Sequence, residues 1–114
     1  MDDEPSVADS INQILGLDNY EVEAVTSGQE ALNAFKSSKF DLIIVDYEMP
    51  EMKGDKLATA IKGLAPQQPI LMITAYGEAL RFAGNFPLAV DRVINKPFAI
   101  EELRQAVRQL LNRT

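Results

Sequence analysis

Hydrophobic positions along this chain switch between two periods, and the switching predicts the fold. Val7, Ile11, Ile14 and Leu15 recur at helical spacing, with Gly16 as a stop. Tyr20 to Val25 alternates loosely and predicts a strand. Ser27-Gly28-Gln29-Glu30 is a capping-box signature, followed by Ala31, Leu32 and Phe35 on one helical face. Leu42-Ile43-Ile44-Val45 is a continuous apolar run of the kind found in strands covered on both faces, and it ends at Asp46. Leu57, Ile61 and Leu64 mark a helix that stops before Pro66 and Pro69. Ile70-Leu71-Met72-Ile73-Thr74 is a second continuous strand, and Gly77 to about Ala83 is a weaker helix. Ala89 to Ile94 predicts the last strand, and Ile100, Leu103, Val107, Leu110 and Leu111 an amphipathic helix. The order αβαβαβαβα implies a parallel sheet with helices on both faces.

Composition narrows what such a fold can do. At 114 residues the chain is one domain, 1–114, long enough for a single core. The absence of Cys and His excludes disulfides, thiolate nucleophiles, imidazole bases and nearly all zinc sites. Chemistry here must use carboxylates, hydroxyls, lysine and hard cations. A net charge of -6 argues against nucleic acid or an anionic membrane as a direct partner. No apolar stretch reaches the roughly 18 residues of a membrane span, and no signal peptide is visible, so the expected location is the cytoplasm.

Within those limits Asp46 stands out. A carboxylate at the carboxyl end of a central parallel strand points into the crevice where open α/β sheets bind ligands. Asp2 and Asp3 open the chain, Thr74 ends the next apolar strand, and Lys96 precedes Pro97. Three acids, a hydroxyl and a lysine are the start of a phosphoryl-transfer site. Each has a plainer explanation when taken singly. Asp2-Asp3-Glu4 reads as a solvated acidic terminus, Asp46 as a strand-end cap and Lys96 as a surface lysine. Thr74 reads as a partner for a backbone group. Tyr20, Phe35 and the methionines read as packing.

Four pieces, Asp2-Asp3-Glu4-Pro5, Asp46 to Gly54 with Met49-Pro50, Thr74-Ala75, and Lys96-Pro97-Phe98, resemble the receiver domain of two-component response regulators in order and spacing. The resemblance covers essentially the whole chain. It implies a flavodoxin-like, doubly wound parallel sheet with helices on both faces. Asp46 would accept a phosphoryl group from a phosphohistidine on a sensor histidine kinase or phosphotransfer protein. Asp2 and Asp3 would hold Mg²⁺, Asp3 the more directly, with Asp46 and the backbone carbonyl of Glu48. Lys96 would contact the phosphoryl oxygens, and Thr74 would hydrogen-bond them after transfer. Phe98 would pack beneath a Lys96-Pro97 turn that is usually cis in the family. A downstream effector protein would read the phosphorylated state on the face of the last two helices and the last strand. Arg81, Arg92, Arg104 and Arg108 lie in that part of the chain and read equally well as a solvated face. Such a domain is not an enzyme toward other substrates.

The chemistry agrees with the residue types. Clustered carboxylates repel one another, and a hard divalent cation offsets the repulsion through oxygen ligands. Phosphoryl transfer needs positioning and charge stabilisation more than acid–base work, and an ionised Asp46 is already a nucleophile.

Three departures from the family pattern set further expectations. Receivers begin with an apolar strand before the acidic pair, and here only Met1 precedes Asp2. In the order 2-1-3-4-5 that strand lies beside the Asp46 strand. A truncated or absent first strand predicts a gap there and exposed strand backbone, which favours a homodimer by pairing or swapping unless the Tyr20 strand shifts to close it. The Met1 amino group would also sit near Asp2 and Asp3 and compete with Mg²⁺. Val93 takes the place of the family's switching aromatic, leaving Thr74 as the moving element. Tyr76 and Glu48 flank the acceptor and predict slow self-dephosphorylation; an unchanged lifetime in Tyr76→Ala would count against that. Two rival functions follow from the same residues. One is a degenerate receiver acting as a phosphorylation-independent protein-interaction module. The other is a Mg²⁺-dependent phosphatase with Asp46 as nucleophile and Glu48 as second acid, which a 114-residue chain without a substrate cap disfavours.

Overall fold

The computed structural model describes residues 5–47, 54–75 and 90–112. In chain order these form α1 (Pro5–Gly16), α2 (Gly28–Ser37), β1 (Ile43–Asp46), α3 (Gly54–Leu64), β2 (Ile70–Thr74), β3 (Arg92–Asn95) and α4 (Ile100–Leu111). The strands are parallel in the order β1-β2-β3, with Ile43 opposite Ile70, Asp46 opposite Ile73, Leu71 opposite Arg92 and Thr74 opposite Asn95. Every residue of β2 is buried, which is why its sequence is an unbroken apolar run rather than an alternating one.

Strand side chains point alternately to the two faces, and the core divides accordingly. Leu71, Ile73 and Ile94 pack with Ile11 and Leu15 of α1 and with Leu103, Val107 and Leu110 of α4. Val45, Ile70 and Met72 pack with Ala31 of α2 and with Leu57, Ala58 and Ile61 of α3. The doubly wound α/β architecture expected from the sequence is therefore the one observed.

Local signals explain the element ends. The Ser27 Oγ accepts the Glu30 N–H at 3.1 Å, capping α2. The Glu30 carboxylate in turn accepts from the Ser27 and Thr26 hydroxyls at 3.4 and 3.5 Å. Asn19 takes a left-handed conformation (φ 65) in the turn after α1, where asparagine is tolerated. Nearby, Arg104 of α4 grips Asp18 through two hydrogen bonds, at 2.6 and 3.0 Å, and ties the two helices together. The hydrogen bond from Arg104, aided by its charge, outweighs desolvation and lowers the Asp18 carboxyl below its ordinary value of 3.8.

The last strand differs from its expected range. It begins at Arg92, because Asp91 is committed elsewhere. The Asp91 N–H donates to the Ile70 carbonyl at 2.9 Å, and its Oδ2 accepts from the Ile70 N–H at 2.8 Å and from Lys62 Nζ at 3.0 Å. Those bonds pin the starts of β2 and β3 to α3. The helix expected from Gly77 lies outside the described residues.

The larger difference is at Tyr20 to Val25. The segment alternates as a strand should, with Val22 packed toward the α1–α4 core and Val25 toward the α2–α3 core. It is nevertheless not a strand, because a strand exists by pairing and, among the described residues, no backbone hydrogen bond pairs residues 21–25 with a neighbouring strand. A cavity of about 790 Å³ lies between it and Leu42, just ahead of β1, and Ile44 on β1. Residues 20–25 do not shift to close the gap expected beside the Asp46 strand.

Candidate functional site

Parallel strands end together, so their carboxyl ends bring together residues far apart in sequence. The register makes the gathering stepwise. Asp46 faces Ile73, which puts Thr74 one residue further along β2; Thr74 faces Asn95, which puts Lys96 one residue beyond β3. Two backbone bonds extend the ladder past the strand ends. The Tyr47 N–H donates to the Ile73 carbonyl at 3.0 Å and the Lys96 N–H to the Thr74 carbonyl at 2.8 Å. Three residues singled out from the sequence thus lie on one edge of one sheet.

The side chains are held as tightly as the backbone. Asp46 is 2% exposed and Thr74 fully buried. Lys96 Nζ donates to Asp46 Oδ1 at 3.2 Å across 50 residues of sequence. Lys96 keeps 22% of its side chain exposed, so its stem is buried while its ammonium reaches the carboxylate from the rim. Taking a carboxylate out of water costs several kcal/mol. An ammonium at this distance returns about 5 kcal/mol at an effective dielectric of 20. The pair offsets the burial at Oδ1. The other oxygen, Oδ2, is buried with no hydrogen-bond donor on it. A buried anionic oxygen left in this state fits a hard cation or an electrophile rather than a structural role.

The turn that carries Lys96 is anchored beside it. The Lys96–Pro97 bond is cis, as the resemblance implied. Phe98 packs half-buried against the α1–α4 core. Val93 packs against the opposite, α2–α3 core as an ordinary β-branched strand residue.

Asp2, Asp3 and the carbonyl of Glu48 lie outside the described residues, as do Tyr76 and Arg81. Among the described residues no three acidic side chains gather into a metal cluster. The other predicted surface charges are partly committed within the fold. Arg104 binds Asp18 and also Glu101 at 2.8 Å, and Arg92 donates to Gln109. Asp91 and Lys62, which set the strand starts, escaped sequence reading. Their one sequence cue is an acid placed just ahead of an apolar strand.

The parallel ladder, with helices on both faces and an aspartate, a threonine and a lysine at its carboxyl edge, defines a CheY-like α/β signalling domain. The family model for the response regulator receiver domain matches residues 1–108, and the chain belongs to that family. It is 32% identical to the response regulator MprA of Mycobacterium tuberculosis over all 114 residues, which is 50% of that protein. The chain thus spans about half the length of the curated relatives it matches. Among solved structures it resembles the response regulator TrrA of Thermotoga maritima in complex with Mg²⁺-BeF. That likeness has 33% identity and a TM-score of 0.87, covering 96% of this chain and 93% of the other. A CheY-like receiver domain protein from Methanospirillum hungatei is 30% identical with a TM-score of 0.85, covering 97% and 89%.

Proposed function

We propose that Asp46 is the phosphoryl acceptor of this receiver and that its phosphorylated state changes the binding of an effector protein. The observation that carries this reading is the buried Asp46 carboxylate at the carboxyl end of β1, bonded to the Lys96 ammonium at 3.2 Å with Thr74 one residue further along the neighbouring strand. In the reaction a carboxylate oxygen of Asp46 attacks phosphorus of a phosphohistidine on a kinase or phosphotransfer protein. The P–N bond breaks and its electron pair returns to the imidazole nitrogen. The Lys96 ammonium faces the charge that builds on the phosphoryl oxygens, and the Thr74 hydroxyl hydrogen-bonds one of them after transfer.

Mg²⁺ suits the donor set, which is hard oxygen throughout; Asp46, Asp2, Asp3 and the Glu48 carbonyl are the residues that would hold it. When bound, it neutralises charge on the transferring group. That the Thermotoga maritima relative was crystallised with Mg²⁺-BeF supports this part of the reading. The domain acts in the cytoplasm and modifies only itself. The phosphoryl group carries roughly 1.5 to 2 negative charges and replaces the single charge of the Asp46 carboxylate, so the site becomes more negative by up to about one charge, beside groups that are already acidic. A change that large biases a two-state loop by a few kcal/mol.

The test is intact mass after incubation with acetyl phosphate, with and without Mg²⁺, for the chain and for Asp46→Asn. The expected result is one added phosphoryl group that requires both Mg²⁺ and Asp46. A folded chain that gains none would favour a contact-only module.

A further inference from the structure

Strand register sets the acceptor edge, and β3 has the least of its own to fix it. Register is strongly specified where a strand buries one face and weakly where it does not. Every residue of β2 is buried, whereas Ile94 is the one buried residue of β3. Lys96 follows β3 directly, so a slip of one residue would carry it about 3.3 Å along β2. Its ammonium stands 3.2 Å from Asp46 Oδ1, a contact no longer than that displacement.

Asp91 supplies the constraint from the strand's other end. Its N–H donates to the Ile70 carbonyl at 2.9 Å, and its Oδ2 accepts the Ile70 N–H at 2.8 Å. A side chain therefore closes the first rung between β2 and β3. An aspartate reaches the neighbouring N–H but is too short to follow it one residue further, so the rung fits one register. Lys62 Nζ, 3.0 Å from the same Oδ2, offsets the charge of a carboxylate that is 16% exposed. At the far end the Lys96 N–H closes the last rung on the Thr74 carbonyl at 2.8 Å.

We propose that Asp91 is a positioning residue for the Asp46 site: its carboxylate locks β3 to β2 in the register that sets Lys96 against Asp46. It acts through Lys96 from the opposite end of the strand. The kinetic consequence rests on the reading of Asp46 as acceptor; the register lock does not.

The test uses the whole chain with Asp91→Ala, Asp91→Asn and Asp91→Glu, each alone and combined with Lys96→Ala. Two quantities are measured: the rate of phosphoryl gain from acetyl phosphate with Mg²⁺, and amide exchange at Lys96 compared with Met72. In Asp91→Ala phosphorylation should slow by about tenfold to a hundredfold, the cost of an ångström-scale misplacement. In the Lys96→Ala background the same change should slow it no further, because no lysine is left to misplace. A purely structural role would lower the rate equally in both backgrounds. Asp91→Asn keeps an oxygen for the Ile70 N–H and should recover most of the rate. Asp91→Glu keeps the charge facing Lys62 but displaces the oxygen by one carbon, and should stay slow. Protection of the Lys96 amide should fall by about fivefold to tenfold in Asp91→Ala while Met72 holds, in line with the loss of one hydrogen bond.

Equal slowing in both backgrounds, or a faster Glu than Asn variant, would overturn the positioning role. Unchanged Lys96 exchange in a folded Asp91→Ala chain would overturn the register lock. If Asp91→Ala does not fold, the order of the Asn and Glu variants decides. An unaltered chain that gains no phosphoryl group would sink the acceptor reading, and Lys96 exchange would still decide the lock.

Discussion

The two sides of β1 are built differently. Toward β2 it has a complete parallel ladder, a strand buried at every residue, and two backbone bonds that continue past the strand ends to Tyr47 and Lys96. Toward residues 20–25 it faces a cavity. Asp46, Thr74 and Lys96 all stand on the ladder side, and their spacing follows from its register alone. The acceptor geometry therefore rests on the ladder side of β1.

Truncations to alanine on the two sides should differ in cost by more than their one-carbon difference in size. Leu71→Ala, at a fully buried site in β2, should lose about 2–5 kcal/mol of unfolding free energy in urea. Val22→Ala, half-buried beside the cavity, should lose under about 1 kcal/mol. Matching losses would break the contrast. A smaller effect is expected where the open segment meets α2. Ser27→Ala removes the cap hydrogen bond to Glu30 and should cost about 1 kcal/mol; no change would mean that the cap is redundant. The smallest effect concerns pH. Asp18 has its carboxyl lowered by Arg104, so the stabilisation it contributes is present above the unfolded value of 3.8 and lost as pH falls through the lower folded value. Asp18→Asn should flatten the acid limb of stability against pH in that window. An unchanged limb would show that the pair does not link α4 to the turn after α1.

Much of this was legible in the residues. Unbroken apolar runs marked β1 and β2 because both are covered on two faces. Helical spacing placed α1 and α4, and the Ser27–Glu30 signature placed the start of α2. Asp46 and Lys96 could be paired from sequence because a strand-end acid and a lysine before proline form a recognisable set. Tyr20 to Val25 misled, since alternation reports which side chains are buried but not whether another strand lies alongside. The Asp18–Arg104 and Lys62–Asp91 links were invisible because they join residues 86 and 29 positions apart, with no local pattern to mark them. Arg104 consequently read equally well as part of an output face and as solvated surface charge.

The most direct test of the central claim is to locate the phosphoryl group. Reductive trapping of the acyl phosphate with borohydride, followed by tryptic fragmentation, isolates the peptide from Phe40 to Lys53, which holds Asp41, Asp46, Glu48 and Glu51. The prediction is modification at Asp46 alone, absent when Mg²⁺ is withheld. Modification at Asp41, or at any carboxylate outside this peptide, would contradict it.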